Sequence, residues 1–494
     1  MRLKVVIGAI GTIIKFFSFA FLIPTIPALY FWEIESTLTY VHIPFNLVVF
    51  LFCFGLTLLS GFLLEFIGSK EDFTDKEGFA IVSGGWLVVA FFASLPFVLT
   101  ETLPNFVDGY FEAMSGLTTT GATVLPYPLE DHPQSVLFWR ALLQWLGGMG
   151  IIVLSVAVLI RLTRGGLRLI EAEAPGPSLH KLKPTIMQTA KLLWLVYVFF
   201  TIAEVIALLL LGVPLYEAVY HAFTTMSTGG FSIHTDSIGH YSAPVHWLII
   251  VFMIIAGTNF TLHYYALQGK GREYLRDPEF RFYLGMIGIA GVLIFLNQLA
   301  AGSATGDTAS ESAFQTVSIM TTTGYTTADY DTWPSFSRFL LLMLMFMGGC
   351  AASTSGAMKQ VRMLLLLKML KKKLMQLLNP HAVMPVRLGK TVVSDQDLHT
   401  ITMFFFAYIL IFILCTAAML ALGLDMITGA SATASCLGNV GPALGGVGPS
   451  YSYASVPTTG KVILVVCMWL GRLEIFTALI LFVPTAYKRE AFLE

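Results

Sequence analysis

Four stretches of this sequence are rich in Thr, Ser, Asn and Gly, and each of them ends in a glycine. Aligned on that glycine without gaps, they read DGYFEAMSGLTTTG (108–121), EAVYHAFTTMSTGG (217–230), ESAFQTVSIMTTTG (311–324) and TGASATASCLGNVG (428–441). Glycine permits backbone conformations that other residues resist. The chemistry that such segments offer is coordination by backbone carbonyl oxygens, which can replace the water around a desolvated cation.

The opening Asp108, Glu217, Glu311 and Thr428 are expected to cap short helices of about two to three turns, and the polar tails are expected to leave the helices. Non-helical backbone at membrane depth is tolerated only inside protein or along a water-filled cavity. Four such tails around one axis therefore predict a cation filter, and the alternative is four surface loops that are alike by chance. The candidate filter residues are Thr119, Thr120, Gly121, Thr228, Gly229, Gly230, Thr322, Thr323, Gly324, Asn439, Val440 and Gly441.

The sequence around these windows is that of a membrane protein. Of its 494 residues, 56% are hydrophobic and 12% are charged, whereas soluble proteins carry about 25% charged residues. The net charge of −1 gives no bulk field suited to nucleic acid. Ten stretches are long enough to span a bilayer, the first being a retained helix rather than a signal peptide. They are approximately 5–31, 43–67, 78–100, 136–160, 190–212, 244–268, 281–300, 337–358, 399–422 and 460–487.

The distribution of basic residues predicts that both termini are cytoplasmic. Most of the 29 Lys and Arg residues lie in the termini and loops of that side, and the linkers 161–189 and 359–398 are the longest basic stretches. These linkers are expected either to bind lipid headgroups or a partner or to act only as topology determinants. Arg140, Arg338 and Lys461 lie at outer helix ends, and Lys15 and Arg472 lie inside apolar segments.

The predicted fold is an all-α polytopic membrane protein with four pseudo-symmetric helix–pore-loop–helix repeats around one pore, plus an N-terminal helix pair. The expected boundaries are 1–70 for the helix pair, then 71–170, 171–275, 276–390 and 391–494 for the repeats. The second helix of each repeat contains a glycine at its middle. These glycines are Gly147, Gly257, Gly348 and Gly471.

Two features interrupt the apolar pattern of these second helices. Arg472 is a full charge at membrane depth, expected either to face the pore below the filter or to bind backbone carbonyls or a carboxylate. The third repeat carries a run of small residues, here called the small-residue loop, that favours neither helix nor core packing. It is expected to be a gate, or alternatively a close helix crossing. The loop consists of Gly348, Gly349, Cys350, Ala351, Ala352, Ser353, Thr354, Ser355 and Gly356.

Together, the four windows, the small-residue loop and Arg472 resemble the Trk/Ktr/HKT superfamily of potassium transporters, most closely the Trk-type membrane subunit. The resemblance implies potassium uptake across the cytoplasmic (inner) membrane through a four-loop filter, with the loop as gate and Arg472 as pore constriction. It also implies that Gly121, where a serine goes with sodium permeation, favours potassium. A homodimer and a cytosolic, TrkA-like ring of nucleotide-binding regulatory subunits are implied as partners. The chain itself has no phosphate-binding GxxxxGK[ST] motif and no expected cofactor; potassium is its substrate.

Two other classes of function compete with channel-like conduction. A proton- or sodium-coupled potassium symporter would need an acid within the membrane, for which Glu204 is the main candidate and otherwise a structural residue. Acids beside the short helices are further candidates: Asp108, Glu112, Glu217 and Glu311. An enzyme is not expected, because the histidines between 221 and 263 lack an HExxH or comparable motif.

Overall fold

The computed structural model describes residues 1–31, 44–161, 186–303, 306–380, 384–389 and 391–483. Almost all of the regular structure in these ranges is helical, as predicted, and one small hairpin pairs Arg387–Leu388 with Thr391–Val392. Most of the basic linker 161–189, including the predicted boundary at 170/171, lies outside the described residues. The basic residues after 483 lie outside them as well.

The N-terminal helix pair packs through glycine. Leu3–Ser18 continues through the 3₁₀ turn Phe19–Leu22 into Thr25–Tyr30, and its partner helix is Phe45–Ile67. A β-carbon on Gly11 would lie 2.6 Å from the backbone nitrogen of Glu65, so the two helices cross at backbone contact. At this crossing Lys15, one of the two charges predicted inside apolar segments, forms an ion pair with Glu65.

Each of the four repeats has an outer helix, a half-helix, an extended segment and an inner helix. The outer helices are Asp75–Leu99, Ile186–Leu210, Pro278–Ala300 and Asp395–Ala421. Half-helices 1 to 4 are Phe106–Leu117, Leu215–Met226, Thr308–Met320 and Met426–Gly438. The inner helices begin with Gln134–Arg161, Ala243–Ala256, Ser335–Leu344 and Thr458–Arg472. Short 3₁₀ turns lie in the connections that lead back to the inner helices, at Leu129–Asp131, Ser237–His240, Tyr330–Thr332, Gly445–Val447 and Tyr453–Ser455.

The predicted helix caps are wrong by three or four residues. The half-helices begin after Asn105, Pro214, Asp307 and Asp425, so the expected caps lie within or just after the first turn. Asn105 and Asp425 accept hydrogen bonds from backbone N–H groups two residues further on. The half-helices are therefore longer than predicted, at 12 or 13 residues.

Three of the predicted spans, 244–268, 337–358 and 460–487, are not continuous helices. Inner helix 2 breaks at Gly257 and turns by 102° into Phe260–Leu267, whose first turn is capped by Asn259. Inner helix 4 turns by 112° after Arg472, and inner helix 3 is interrupted until Gln360–Leu378. Hydropathy windows register composition and not local backbone breaks. Inner helix 1 runs unbroken from Gln134 to Arg161.

The first and last repeats are joined by one hydrophobic core. Phe111 of half-helix 1, Trp139 of inner helix 1 and Leu464 of inner helix 4 all belong to it and are fully buried. A backbone hydrogen bond from the nitrogen of Tyr453 to the carbonyl of Thr123, at 2.8 Å, also joins these repeats. The chain therefore closes on itself around the extended segments.

Candidate ion-conduction site

The four half-helices end in the same way. Each has a Schellman turn, in which the last backbone N–H groups reach back to carbonyls three and five residues earlier. The longer bonds run from Thr120 to Ser115, Gly229 to Thr224, Thr323 to Ser318 and Val440 to Ser435, at 2.8, 2.9, 2.9 and 2.9 Å. The residue before each of these donors has a left-handed φ, 51° at Thr119, 53° at Thr228, 57° at Thr322 and 54° at Asn439.

This left-handed position was missed by reasoning from the sequence. Threonine is β-branched, and a positive φ is unfavourable for it, so three of the four turns hold a strained residue. The only signal in the sequence was Asn439, a residue type that tolerates this conformation, at the matching position of the fourth window. Strain repeated at three equivalent positions indicates that the surrounding packing enforces the turn.

The filter glycines Gly121, Gly230, Gly324 and Gly441 follow two residues later and have φ of 82°, 73°, 80° and 113°. A β-carbon on Gly121 would lie 2.2 Å from the carbonyl oxygen of Gly229, in the next repeat. For Gly230 the oxygen is that of Thr323, at 1.8 Å, and for Gly324 that of Val440, at 2.0 Å. For Gly441 it is that of Thr120, at 2.8 Å.

These contacts form a closed ring. Each filter glycine abuts the carbonyl that precedes the filter glycine of the next repeat, and the fourth repeat returns to the first. The ring carbonyls, those of Thr120, Gly229, Thr323 and Val440, therefore lie at the four junctions between repeats. Side chains would be excluded from the glycine positions both by φ and by this contact. The structure thus brings all twelve predicted filter residues together.

Threonine hydroxyls and the side-chain amide of Asn439 form hydrogen bonds that support the ring. Thr118 and Thr120 share a hydroxyl–hydroxyl hydrogen bond of 2.8 Å, and Thr321 and Thr323 share an equivalent one of 2.8 Å. The side-chain amide of Asn439 donates to the hydroxyl of Thr120 at 3.0 Å, across the junction of repeats 4 and 1. The hydroxyl residues therefore stabilise the ring through their side chains, besides contributing backbone carbonyls.

A cavity of about 40 Å³ lies beside the ring on the side of the returning connections. All four repeats line it, through Gly121, Gly230, Gly324 and Pro442 among others. The ring is therefore bordered by an open space on one side. The other side is bordered by the C-terminal ends of the half-helices, where helix dipoles favour a cation.

The small-residue loop lies against that second side. The backbone N–H of Gly356 donates to the hydroxyl of Thr322 at 2.7 Å, and the hydroxyl of Thr354 donates to the carbonyl of Met226 at 3.0 Å. A β-carbon on Gly356 would lie 2.4 Å from the carbonyl oxygen of Gly438. The loop thus touches the ends of half-helices 2, 3 and 4. It is not helical, so the helix-crossing interpretation does not hold.

Buried polar groups hold the loop at both ends. One carboxylate oxygen of Glu279, a residue not singled out from the sequence, accepts hydrogen bonds from the backbone N–H groups of Ala351 and Val361, at 2.7 and 2.9 Å. Ala352 and Ala357 both have a φ of 51°, a conformation that costs about 1–3 kcal/mol for a residue with a β-carbon. The loop is therefore tightly anchored and locally strained.

Arg472 is buried beneath the ring, with 2% of its surface exposed. Its guanidinium donates to the carbonyl of Thr354 at 2.7 Å and to that of Gly147 at 3.5 Å. Glu474 instead pairs with Arg362, at 2.7 Å. Arg472 therefore binds backbone carbonyls, as one of the interpretations from the sequence expects, and one of these carbonyls belongs to the small-residue loop.

The basic residues at the outer helix ends are all paired. Arg140 contacts Glu112, Lys461 contacts Asp108 and Arg338 contacts Asp331, at 2.7, 2.7 and 2.8 Å. Two of the candidate coupling acids are therefore held in ion pairs. Glu204 differs, since it is fully buried in outer helix 2 and forms no ion pair among the described residues; its polar neighbour is the hydroxyl of Thr225.

The profile of the TrkH family, described as cation transport protein, matches residues 49–489 of this chain. The chain belongs to the TrkH family. It is 38% identical to the Trk system potassium uptake protein TrkH of Salmonella typhimurium, over 99% of this chain and 100% of that protein. It is 33% identical to the Trk system potassium uptake protein TrkG of Escherichia coli, over 97% and 98%.

A solved structure shows the same fold. The crystal structure of the potassium transporter TrkH from Vibrio parahaemolyticus superimposes with a TM-score of 0.87 at 36% identity, covering 99% of this chain and 100% of that one. The predicted family and fold class are thereby confirmed. The family is one of cation transport proteins, and the described residues include six helices that are long and apolar enough to cross a membrane.

Proposed function

We propose that this protein takes up potassium across the cytoplasmic membrane, by conducting the ion through the carbonyl ring. The observation that carries the proposal is the closed contact of each filter glycine with the next repeat's carbonyl. Neutral carbonyl oxygens suit a cation that must bind firmly enough to lose water and weakly enough to leave. The names of relatives such as the Trk system potassium uptake proteins support potassium as the ion.

The small-residue loop acts as the gate of this pathway, and Arg472 as its constriction. The contacts of the loop with three half-helix ends support this role, because they obstruct the inner side of the ring. The positive guanidinium lies where half-helix dipoles would otherwise favour potassium. Opening then requires the loop to leave the ring and the Arg472–Thr354 hydrogen bond to break.

The resemblance to Trk-type subunits supports a homodimer and a cytosolic nucleotide-binding regulatory subunit that moves the gate. The cytoplasmic position proposed for both termini places Gln360–Leu378, which follows the loop directly, on the side of that subunit. This helix carries Lys368, Lys371, Lys372 and Lys373 at and just beyond its middle. A partner that pulls on the helix would therefore pull on the loop.

Flux measurements in liposomes of defined lipid test the proposal. Purified protein should admit potassium, or radioactive rubidium as its tracer, down a gradient and should discriminate against sodium. Protein-free liposomes and liposomes with heat-denatured protein are the controls. Absence of potassium flux from the wild-type protein, both alone and with its regulatory subunit, would contradict the proposal.

Coupled symport is the second candidate, favoured by the fully buried carboxyl group of Glu204. A buried carboxyl group that is not held in an ion pair can bind and release a proton within the membrane. If symport operates, an imposed proton gradient should drive potassium against its own gradient, and Glu204→Gln should abolish that driven uptake while leaving downhill flux. If downhill flux ignores both proton and sodium gradients, symport is excluded.

A further inference from the structure

One face of inner helix 1 carries two polar side chains, four residues apart, that both reach the extended segment of repeat 2. The carboxamide of Gln144 donates to the carbonyl of Gly229 at 2.7 Å and accepts from the backbone N–H of Phe231 at 3.1 Å. One helical turn away, Arg140 donates to the carbonyl of Ser232 at 3.2 Å. Residues four apart on a helix lie on the same face, so Gln144 and Arg140 both contact the extended segment of repeat 2.

The arginine is held in place from the other side. Its guanidinium stacks 4.0 Å from the centre of the Phe231 ring and pairs at 2.7 Å with the buried carboxylate of Glu112. Glu112 in turn accepts from the backbone N–H of Val124 at 2.9 Å and from the hydroxyl of Thr123 at 3.0 Å. The ion pair of Arg140 and Glu112 therefore joins the extended segments of repeats 1 and 2.

The other three repeats do not have the polar pair formed by Arg140 and Gln144. Counted back from Gly147 and its counterparts Gly257, Gly348 and Gly471, the position of Arg140 is occupied by Ile250, Leu341 and Leu464. The position of Gln144 is occupied by Ile254, Met345 and Met468. Within the described residues, this pair of inner-helix side chains, Arg140 and Gln144, here called the polar clamp, therefore occurs only at the junction between repeats 1 and 2.

Gly229 is the residue that makes room for the clamp. Its counterparts are Thr120, Thr323 and Val440, yet a β-carbon at 229 would lie between 2.3 and 2.7 Å from three atoms of the Gln144 carboxamide. Its φ is not in the left-handed region, so the backbone does not itself require glycine here. The second window's departure from the threonine pattern is accounted for by Gln144.

We infer that Gln144, supported by Arg140, is a positioning residue that sets the Gly229 carbonyl of the ring and thereby the discrimination between potassium and smaller cations. The inference rests on the proposed conduction through the ring. An unsupported Gly229 carbonyl can move toward a smaller ion, which reduces the ring's preference for a larger one. A carbonyl oxygen has two lone pairs, so binding by Gln144 leaves one for the ion.

The test is Gln144→Met in liposomes, which gives the residue found at this position in repeats 3 and 4. The potassium-to-sodium flux ratio should fall by about tenfold, the loss of ~1.4 kcal/mol of discrimination. The control is Gln298→Met, which removes an equally buried glutamine whose carboxamide donates to Ser312 at 3.0 Å, away from the ring. Its flux ratio should match that of the wild type.

A suppressor pair keeps the inference testable if Gln144→Met does not fold. Gly229→Ala alone should lose most potassium flux, because its methyl group meets the carboxamide. Gly229→Ala with Gln144→Ala should regain flux, yet with the poor discrimination expected of an unclamped ring.

An unchanged flux ratio in folded Gln144→Met, or failure of the double variant to recover any flux, would overturn the inference. If the wild-type protein conducts potassium selectively in the same assay, these results contradict the role of Gln144 and not the proposed function. Wild-type protein that conducts no potassium would instead contradict the proposed function.

Discussion

The guanidinium of Arg472 donates a hydrogen bond of 2.7 Å to the backbone carbonyl of Thr354, joining inner helix 4 to the small-residue loop of repeat 3. Both residues are buried beneath the ring. A buried arginine at membrane depth is costly unless its donors are satisfied. This contact therefore stabilises the charge and holds the loop at the same time.

Replacing Arg472 with alanine should increase potassium flux. Losing a hydrogen bond to a charged group removes about 1.5–3 kcal/mol, so the closed conformation should lose about tenfold or more in population. Flux from liposomes without the regulatory subunit measures the change. Arg338→Ala, which removes a partly exposed arginine paired with Asp331, is the matched control and should leave flux unchanged. Lower flux in folded Arg472→Ala would contradict the constriction.

Gly356→Ala should also open the pathway, by steric displacement of the loop. The added methyl carbon would lie 2.4 Å from the carbonyl oxygen of Gly438, a backbone atom that cannot rotate away. The loop must then move from half-helix 4, and closed-state leak should rise several-fold. Gly288→Ala is the control, since no atom lies within 4 Å of its β-carbon. An unchanged leak in folded Gly356→Ala would show that the small-residue loop is not the gate.

Gly121→Ser should lower the potassium-to-sodium flux ratio, by about tenfold or ~1.4 kcal/mol. Its β-carbon would lie 2.2 Å from the Gly229 oxygen, so the junction must shift. Gly212→Ser separates the two causes of strain, because Gly212 has a φ of 86° with open space around its β-carbon. That variant should keep the wild-type ratio. Equal ratios in all three proteins would argue against the ring as the selective element.

Glu112→Ala should lower the free energy of unfolding by about 3–5 kcal/mol, because it leaves the buried Arg140 without its carboxylate. Glu112→Leu combined with Arg140→Met should recover most of that loss, since no charge is then left unpaired. Asp331→Asn breaks a partly exposed pair and should cost less than ~1 kcal/mol. Unfolding of purified protein in detergent by denaturant measures all three, and a double variant as unstable as the single one would contradict the argument.

The ring could be predicted from the sequence because its signal is repeated in register. Four windows with glycine in the same place identify Gly121, Gly230, Gly324 and Gly441, and the structure assembles all four. Repetition allowed each weak window to support the others. The fold class followed from apolar length and from the same repeat.

The polar supports Gln144 and Glu279 could not be predicted in the same way, since each occurs once. Gln144 is one of a few polar residues in a mostly apolar helix. Glu279 lies 72 residues before Ala351, in the loop that it anchors. The signal that was available for Gln144 is the contrast with Ile254, Met345 and Met468 at the matching positions. The breaks in inner helices 2 and 4 were missed because the residues on either side of them are apolar, whereas the small-residue run predicted the interruption of inner helix 3.

Closure of the ring between Gly441 and Thr120 has a consequence for how the protein is made. The two residues belong to the last and first repeats, so no nascent chain that lacks the fourth repeat can contain a complete ring. Chains are synthesised from the N-terminus, and domains generally fold in that order. The ring therefore has two of its four junctions at most until nearly the whole polypeptide has entered the bilayer. A truncated product would be an incomplete protein rather than an unregulated leak.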